Sequence, residues 1–144
     1  GERRTMASVE ISNAENWQKL HWKSLESAYR SSAYFEFYEA DFAPFYQNNH
    51  VSLFQFNLEL HQLICRLLGL DIRYQVTEKY AETTSEKDFR GFFYNKKKSG
   101  NANLQSNTYI QVFSDRMPFQ ANLSIVDLIF NEGPNSLQYL KTCS

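Results

Sequence analysis

The sequence predicts an α+β fold, a predominantly helical single domain in which a small sheet of short strands accompanies the helices. Apolar residues recur at helical spacing in several segments, and three shorter segments alternate apolar and polar side chains. A chain of 144 residues also suits one hydrophobic core, so we predict a single domain over residues 1–144.

The composition argues against several classes of protein. Charged residues make up 22% of the chain and the net charge is −1, which disfavours a nucleic-acid binder held by bulk charge. The mean hydropathy is −0.54, and no apolar run approaches the roughly 20 residues that a membrane span requires. No His or Cys pair has the spacing of a common metal motif, so we expect neither a metal ion nor a cofactor.

The two cysteines and the start of the chain bear on the cellular context. Cys65 and Cys143 make no disulfide framework, and Cys65 is expected to pack as a small apolar side chain. The chain shows no charged-then-apolar leader, which favours a reducing, cytoplasmic location. Because it opens with Gly1 and an irregular stretch, we expect the N-terminal side of the domain to be missing.

The first two elements are a strand and a helix. Residues 6–11 alternate weakly and predict a short strand, after which Asn13 is a plausible helix N-cap. Ser31 and Ser32 end the helix. Its predicted inner face consists of residues at helical spacing, namely Trp17, Leu20, His21, Ser24, Leu25 and Ala28. Trp22 and Tyr29 lie on an adjacent strip that widens this apolar face.

Two aromatic or apolar helices follow. The second helix carries many rings, and Pro44 is expected to end or kink it. Its acidic residues Glu36, Glu39 and Asp41 are interpreted as a solvated face rather than a catalytic carboxylate pair. The third helix, residues 51–68, has the most apolar face and is predicted to be central, with Gly69 supplying the left-handed position after it.

The middle of the chain alternates once more and then turns polar. Residues 72–77 predict a strand that pairs with the first one. Residues 81–107 form a polar loop region that contains Lys96, Lys97 and Lys98. Such a run is commonly a solvated stretch, and the alternative is contact with the phosphates of a nucleotide-activated sugar.

The chain closes with one strand and two helices. Residues 109–113 predict a strand, and Ser124 and Asp127 form a capping box at the start of a helix. Gly133 then ends that helix and Pro134 starts the last one, in the usual order of these two residues.

Several of these segments resemble one protein family. Residues 122–134, Asn-Leu-Ser-Ile-Val-Asp-Leu-Ile-Phe-Asn-Glu-Gly-Pro, are similar to the closing signature of the WbqC-like protein family. Residues 109–113, Tyr-Ile-Gln-Val-Phe, resemble its lead-in to that signature. The early helical pattern and residues 60–69 are also similar, and the form resembles that of Bacteroides-type bacteria.

The resemblance implies a biological context rather than a mechanism. Genes of this family occur with those for surface polysaccharide or O-antigen biosynthesis. The chain would accordingly bind a nucleotide-sugar, or an acyl or aminoacyl donor. Members usually begin with an apolar strand, a Pro-aromatic segment and an Arg/Asn-rich stretch, none of which is present here.

The sequence and the family resemblance together give six candidate site residues. Two are assigned to catalysis and four to substrate binding: His21 and Asp127, then Tyr109, Gln111, Asn122 and Asn131. For His21 a hydrogen-bonded core imidazole is the commoner role, and for Asp127 helix capping is as plausible as function. The amides of Gln111 and Asn122 are equally suited to orienting a sugar or to pinning a loop.

Whether the protein is an enzyme stays open at this stage. The alternative is a non-catalytic interaction or oligomerisation module, including a homo-oligomer, in a polysaccharide-biosynthesis assembly. The 12 Phe, 9 Tyr and 2 Trp residues motivate it, because so many rings exceed what one core readily hides.

Overall fold

The computed structural model describes residues 5–77 and 107–143. In these two ranges the protein is helical, with five α-helices and two short 3₁₀ helices, Met6–Ser8 and Gly133–Asn135. The α-helices are α1 Trp17–Tyr29, α2 Phe35–Gln47, α3 Leu53–Leu67, α4 Ile125–Glu132 and α5 Ser136–Thr142.

The predicted α+β class is wrong for the described residues, which contain no β-strand. The first predicted strand makes a single antiparallel bridge, between Glu10 and Ser52. Around it the Ile11 amide donates to Val51 O at 2.8 Å and the Leu53 amide donates to Val9 O at 3.1 Å. The pairing stops there because a 3₁₀ helix precedes one segment and α3 begins in the other.

The other two predicted strands are irregular or turned segments without a ladder. Residues 72–77 do not pair with the first segment, and residues 109–113 run into a turn in which the Ser114 amide donates to Gln111 O at 3.0 Å. Alternation of apolar and polar residues in these short segments therefore did not indicate a sheet. The predicted loop at 81–107, including its three lysines, lies outside the described residues except for Asn107.

The centre of the core is an aromatic cluster around Phe130 of α4, whose side chain is fully buried. Its ring centroid lies 5.1 Å from that of Phe35, 5.2 Å from that of Phe42 and 5.2 Å from that of Tyr29. These tilted and edge-to-face arrangements are the ones that aromatic pairs prefer. Through Phe130, α4 is fixed against both α1 and α2.

Helix α3 forms as predicted but is not the centre of the core. Ser52 caps it by accepting the Gln55 amide at 3.2 Å, and Gly69 follows it with a φ of +69°. Only Leu63 and Cys65 are buried within the helix, and the Tyr74 hydroxyl donates to the buried Cys65 Sγ at 3.4 Å. The fully buried rings belong to α2 and α4 instead, since α4 is apolar enough to enter the interior.

The predicted inner face of α1 is wrong at Leu20 and His21 but right at Leu25, and the adjacent strip of Trp22 and Tyr29 packs against the core as predicted. Leu20 is 65% exposed and His21 is exposed, whereas Gln18 is buried and donates to Asn48 O at 3.3 Å. The face that meets the core carries Gln18, Trp22, Leu25 and Tyr29, because the larger rings of Trp22 and Tyr29 bury more area. Asn16 caps the helix, not Asn13.

Pro44 lies inside α2 and does not end it. Proline removes one backbone donor from a helix, yet Phe45 and Tyr46 beyond it stay helical. Packing explains this result, because Phe45 contacts the core and the Tyr46 ring lies 5.6 Å from Trp22. Both rings therefore belong to the last turn of α2.

The acidic residues of α2 lie on its outer side, where two of them make ion pairs. Glu39 contacts Arg30 at 3.1 Å, and Asp41 contacts Arg66 at 3.1 Å. These pairs are partly exposed and contribute little stability individually. Among the described helices, none combines the length and the apolar character needed to cross a bilayer.

We expect Gly133→Ala to destabilise the protein more than Gly69→Ala. Both glycines have positive φ, so each substitution should cost about 1–2 kcal/mol of backbone strain. A Cβ at Gly133 would also lie 2.5 Å from the Tyr34 ring, whereas one at Gly69 would meet nothing within 4 Å. Urea denaturation should show a total loss of roughly 3 kcal/mol or more at Gly133 only; equal losses would contradict this packing.

We expect Phe130→Ala to lower the free energy of unfolding by about 3–5 kcal/mol, because it empties the middle of the core. Phe37→Ala is the matched control, since Phe37 is 73% exposed and its truncation should cost about 0.5 kcal/mol or less. Equilibrium denaturation measures both values. A small loss at Phe130 would show that the aromatic cluster is not the core.

Candidate functional site

The candidate site begins at the first turn of α4. Ser124 caps the helix by accepting the Val126 amide at 3.4 Å, which leaves the Asp127 carboxylate available for other partners. Asp127 is only 4% exposed. It lies one turn before Phe130, so the aromatic cluster fixes the position of this carboxylate.

A tyrosine from the preceding segment reaches the buried carboxylate. The Tyr109 hydroxyl donates to Asp127 Oδ2 at 2.5 Å, a short distance typical of a hydroxyl bonded to a charged acceptor. Tyr29 at the end of α1 approaches the same carboxylate. Three separate parts of the chain thus converge on Asp127.

Gln111 holds the segment that carries Tyr109. Its Nε2 donates to Gln120 O at 2.8 Å, and its Oε1 accepts the Gln120 amide at 2.9 Å. The side-chain amide of Gln111 thereby makes the two hydrogen bonds to the Gln120 backbone that a neighbouring strand would make in a sheet. This pair closes the loop between the two glutamines.

Helix α5 supports the same segment from the other side. The Tyr139 hydroxyl donates to Asn107 O, and Asn107 Nδ2 donates to Thr142 Oγ1 at 3.0 Å. The Tyr139 ring lies 5.1 Å from the Tyr109 ring in an edge-on arrangement. The start of the segment is therefore fastened to the last helix.

A cavity of about 150 Å³ lies between α1, α4 and this loop. Its polar wall contains Tyr29, Gln111, Gln120 and Asp127. The described apolar lining consists of Ala28, Val112, Phe113, Met117, Pro118 and Leu123. A buried carboxylate thus faces a small, mainly apolar space.

Both tyrosines at the carboxylate remain protonated well above neutral pH. Burial, followed by the charge and hydrogen bonding of Asp127, raises the pKa of Tyr29 to about 12. Burial and then the hydrogen bond to Asp127 also raise the pKa of Tyr109. Each hydroxyl is therefore a donor at physiological pH and cannot serve there as a base.

The arrangement is suited to hydrogen bonding with a polar ligand. A carboxylate offers about four acceptor positions, and the described side-chain hydrogen bonds to Asp127 include one from Tyr109. Asp127 also belongs to the lining of the cavity. A carboxylate at this place can accept hydrogen bonds, attract a positive group or take a proton.

The structure brings together three of the six predicted site residues: Tyr109, Gln111 and Asp127. Asn131 joins them only indirectly, because its Nδ2 donates to Asp127 O at 2.8 Å within α4. Asn122 is exposed with a φ of +57°, a conformation that asparagine adopts more readily than most residues.

His21 does not join this group in the described structure. Its exposed ring packs edge-on against Trp17, with centroids 5.4 Å apart, and it is not among the described cavity-lining residues. No group of three or more His, Cys, Asp or Glu side chains in residues 5–77 and 107–143 is arranged to hold a metal ion.

Sequence reasoning missed two residues of the site. Tyr29 was treated as part of an apolar face, and nothing in its sequence surroundings distinguishes it from a core tyrosine. Gln120 contributes through its backbone, and a backbone contact leaves no signal in the residue type. Both become visible only when α1 and the loop meet at α4.

We expect alkaline pH to destabilise the wild type more than Tyr29→Phe. Since folding raises the pKa of Tyr29 from 10.0 to about 12, its contribution to stability is present below pH 10 and is lost as the pH rises through 12. Urea denaturation across this window should give a steeper fall for the wild type. Parallel curves would contradict the placement of Tyr29 beside Asp127.

Comparison with known proteins identifies the family. The comparisons with curated proteins and with solved structures returned no match. A model of the WbqC-like protein family matches residues 1–110, a range that includes Tyr29 and Tyr109 and stops before Asp127. Because this match covers more than half of the chain, the protein belongs to the WbqC-like protein family.

Proposed function

We propose that the chain binds an activated sugar, or an acyl or aminoacyl donor, for surface polysaccharide or O-antigen biosynthesis, and that the cavity beside Asp127 is the binding site. The observation that carries the proposal is the buried Asp127 carboxylate in the wall of this cavity. Burying a charge is costly, so a carboxylate retained at such a place is a good candidate for function.

The lining suits a sugar or a similar polyol. Sugars present hydroxyl donors at their edges and apolar C–H groups on their faces. Asp127 and Gln111 supply acceptors for the edges, and Phe113 and Pro118 supply apolar surface for a face. This division of polar and apolar wall is typical of small-molecule sites.

The size of the cavity limits which part of the ligand it takes. Pockets for drug-sized ligands usually measure about 300–1,000 Å³, and this cavity measures about 150 Å³. We infer that it receives one ring or one terminal group of the donor. The remainder of an activated donor would then extend beyond the mouth of the cavity.

Within this proposal Asp127 is the principal anchor, and Tyr109 and Gln111 position it and the ligand. Asn131 supports the helix turn that carries Asp127. We do not place His21 in the cavity, since its contact is with Trp17. A cytoplasmic location accords with the free thiols of Cys65 and Cys143.

A second candidate function is a non-catalytic interaction or oligomerisation module. Phe113, Met117 and Leu123 favour it, because these exposed apolar side chains gather around one cavity instead of scattering over the surface. Light scattering distinguishes the two. A dimer that Met117→Lys converts to a monomer would support the module, and a monomeric wild type would count against homo-oligomerisation.

We expect a thermal-shift screen of nucleotide-sugars and acyl or aminoacyl donors to find a ligand whose binding requires Asp127. Asp127→Asn and Tyr109→Phe should each weaken its affinity about 10-fold or more, because a hydrogen bond to a charged group is lost or misplaced. Asp115→Asn is the matched control, since Asp115 is exposed and pairs with Arg116.

Two results would contradict the proposal. One is the absence of a shift with every donor class, and the other is equal affinity in Asp127→Asn and the wild type. Circular dichroism of each variant shows whether a lost affinity reflects the site or the fold. If His21→Ala weakened binding as much as Asp127→Asn, the role of principal anchor would not belong to Asp127.

A further inference from the structure

We propose that the group bound beside Asp127 is a positively charged amine, either the amino group of an amino sugar or that of an aminoacyl donor. This inference rests on the proposed function and narrows its substrate class. It follows from the charge of the cavity, the state of its hydroxyl groups and the nature of its walls.

The described lining of the cavity holds a carboxylate and no cation. Asp127 is 4% exposed, and none of the described residues that line the cavity carries a positive charge. The described ion pairs of the chain lie elsewhere, at Arg30, Arg66 and Arg116. A buried carboxylate without a cation is unfavourable, and a cationic ligand would relieve that cost.

The hydroxyl groups next to Asp127 are neutral donors. Tyr109 donates to Asp127 Oδ2 at 2.5 Å, and a hydroxyl donor stabilises the carboxylate without neutralising it. Tyr29 lies beside the same carboxylate and is likewise neutral. Among the described lining residues, Asp127 is thus an acidic group without a cationic partner, and its carboxylate offers acceptor positions that an ammonium group can fill.

The walls of the cavity suit a cation better than a phosphate. The rings of Tyr29 and Phe113 border the cavity, and aromatic faces attract cations. The same walls offer no described cation to a phosphate, and Asp127 would repel one. The phosphates of a nucleotide-sugar would therefore remain outside the cavity while its amine enters.

The test compares three probes that differ at one position: UDP-glucosamine, UDP-N-acetylglucosamine and UDP-glucose. The first carries a free amine, the second an uncharged amide and the third a hydroxyl. Isothermal titration of the wild type should give at least about 10-fold tighter binding of UDP-glucosamine than of either other probe. In Asp127→Asn this preference should disappear, and in Asp115→Asn it should persist.

The outcomes separate this inference from the proposed function. Equal binding of the three probes would overturn the amine but leave sugar binding in place. Tightest binding of the acetylated probe would also overturn it. If none of the three probes binds, the protein is titrated with glycine methyl ester, a minimal aminoacyl amine. Binding that depends on Asp127 would then support recognition of an amine without a sugar, and an absence of binding would overturn the inference. The wild-type ranking remains decisive if Asp127→Asn fails to fold.

Discussion

The packing of Phe130 between α1 and α2 is the interaction on which the rest of the structure depends. This one ring contacts Phe35, Phe42 and Tyr29, so a short helix near the end of the chain is fixed against two helices from its beginning. The Tyr34 amide reinforces the junction by donating to Phe130 O at 2.9 Å. Close packing in such a core leaves α4 little freedom to rotate or slide.

The site follows from this constraint. Since Asp127 lies three residues before Phe130, the packing that buries the ring also carries the carboxylate inside. Tyr109 and Tyr29 then meet Asp127 from two other segments. The polar group is stabilised by neutral donors and not by a described counter-ion, which preserves its charge for a ligand. The aromatic core and the candidate site therefore both depend on the position of α4.

Much of the helical framework could be predicted from the sequence, because local spacing and capping determine it. Ser52 and Gly69 delimit α3, and Ser124 and Gly133 delimit α4, at or within a residue or two of the predicted positions. The prediction that Tyr109, Gln111 and Asp127 belong to the site stays a prediction, although the three lie together. The prediction of a sheet was wrong, because an alternating pattern of apolar and polar residues indicates which side chains face outward but not whether a partner strand is present. The inner face of α1 was predicted correctly at Leu25, Trp22 and Tyr29 but not at Leu20 and His21, because the large rings of the adjacent strip turn that strip toward the core.

The attachment of Asn107 to α5 links the binding site to the end of the chain. Tyr139 and Thr142 hold Asn107, and two residues later Tyr109 holds Asp127. Coupling between two sites is reciprocal, so whatever orders Tyr109 also orders the last helix. A bound ligand would consequently slow amide hydrogen exchange in α5, and fraying of the C-terminus would weaken the site from a distance.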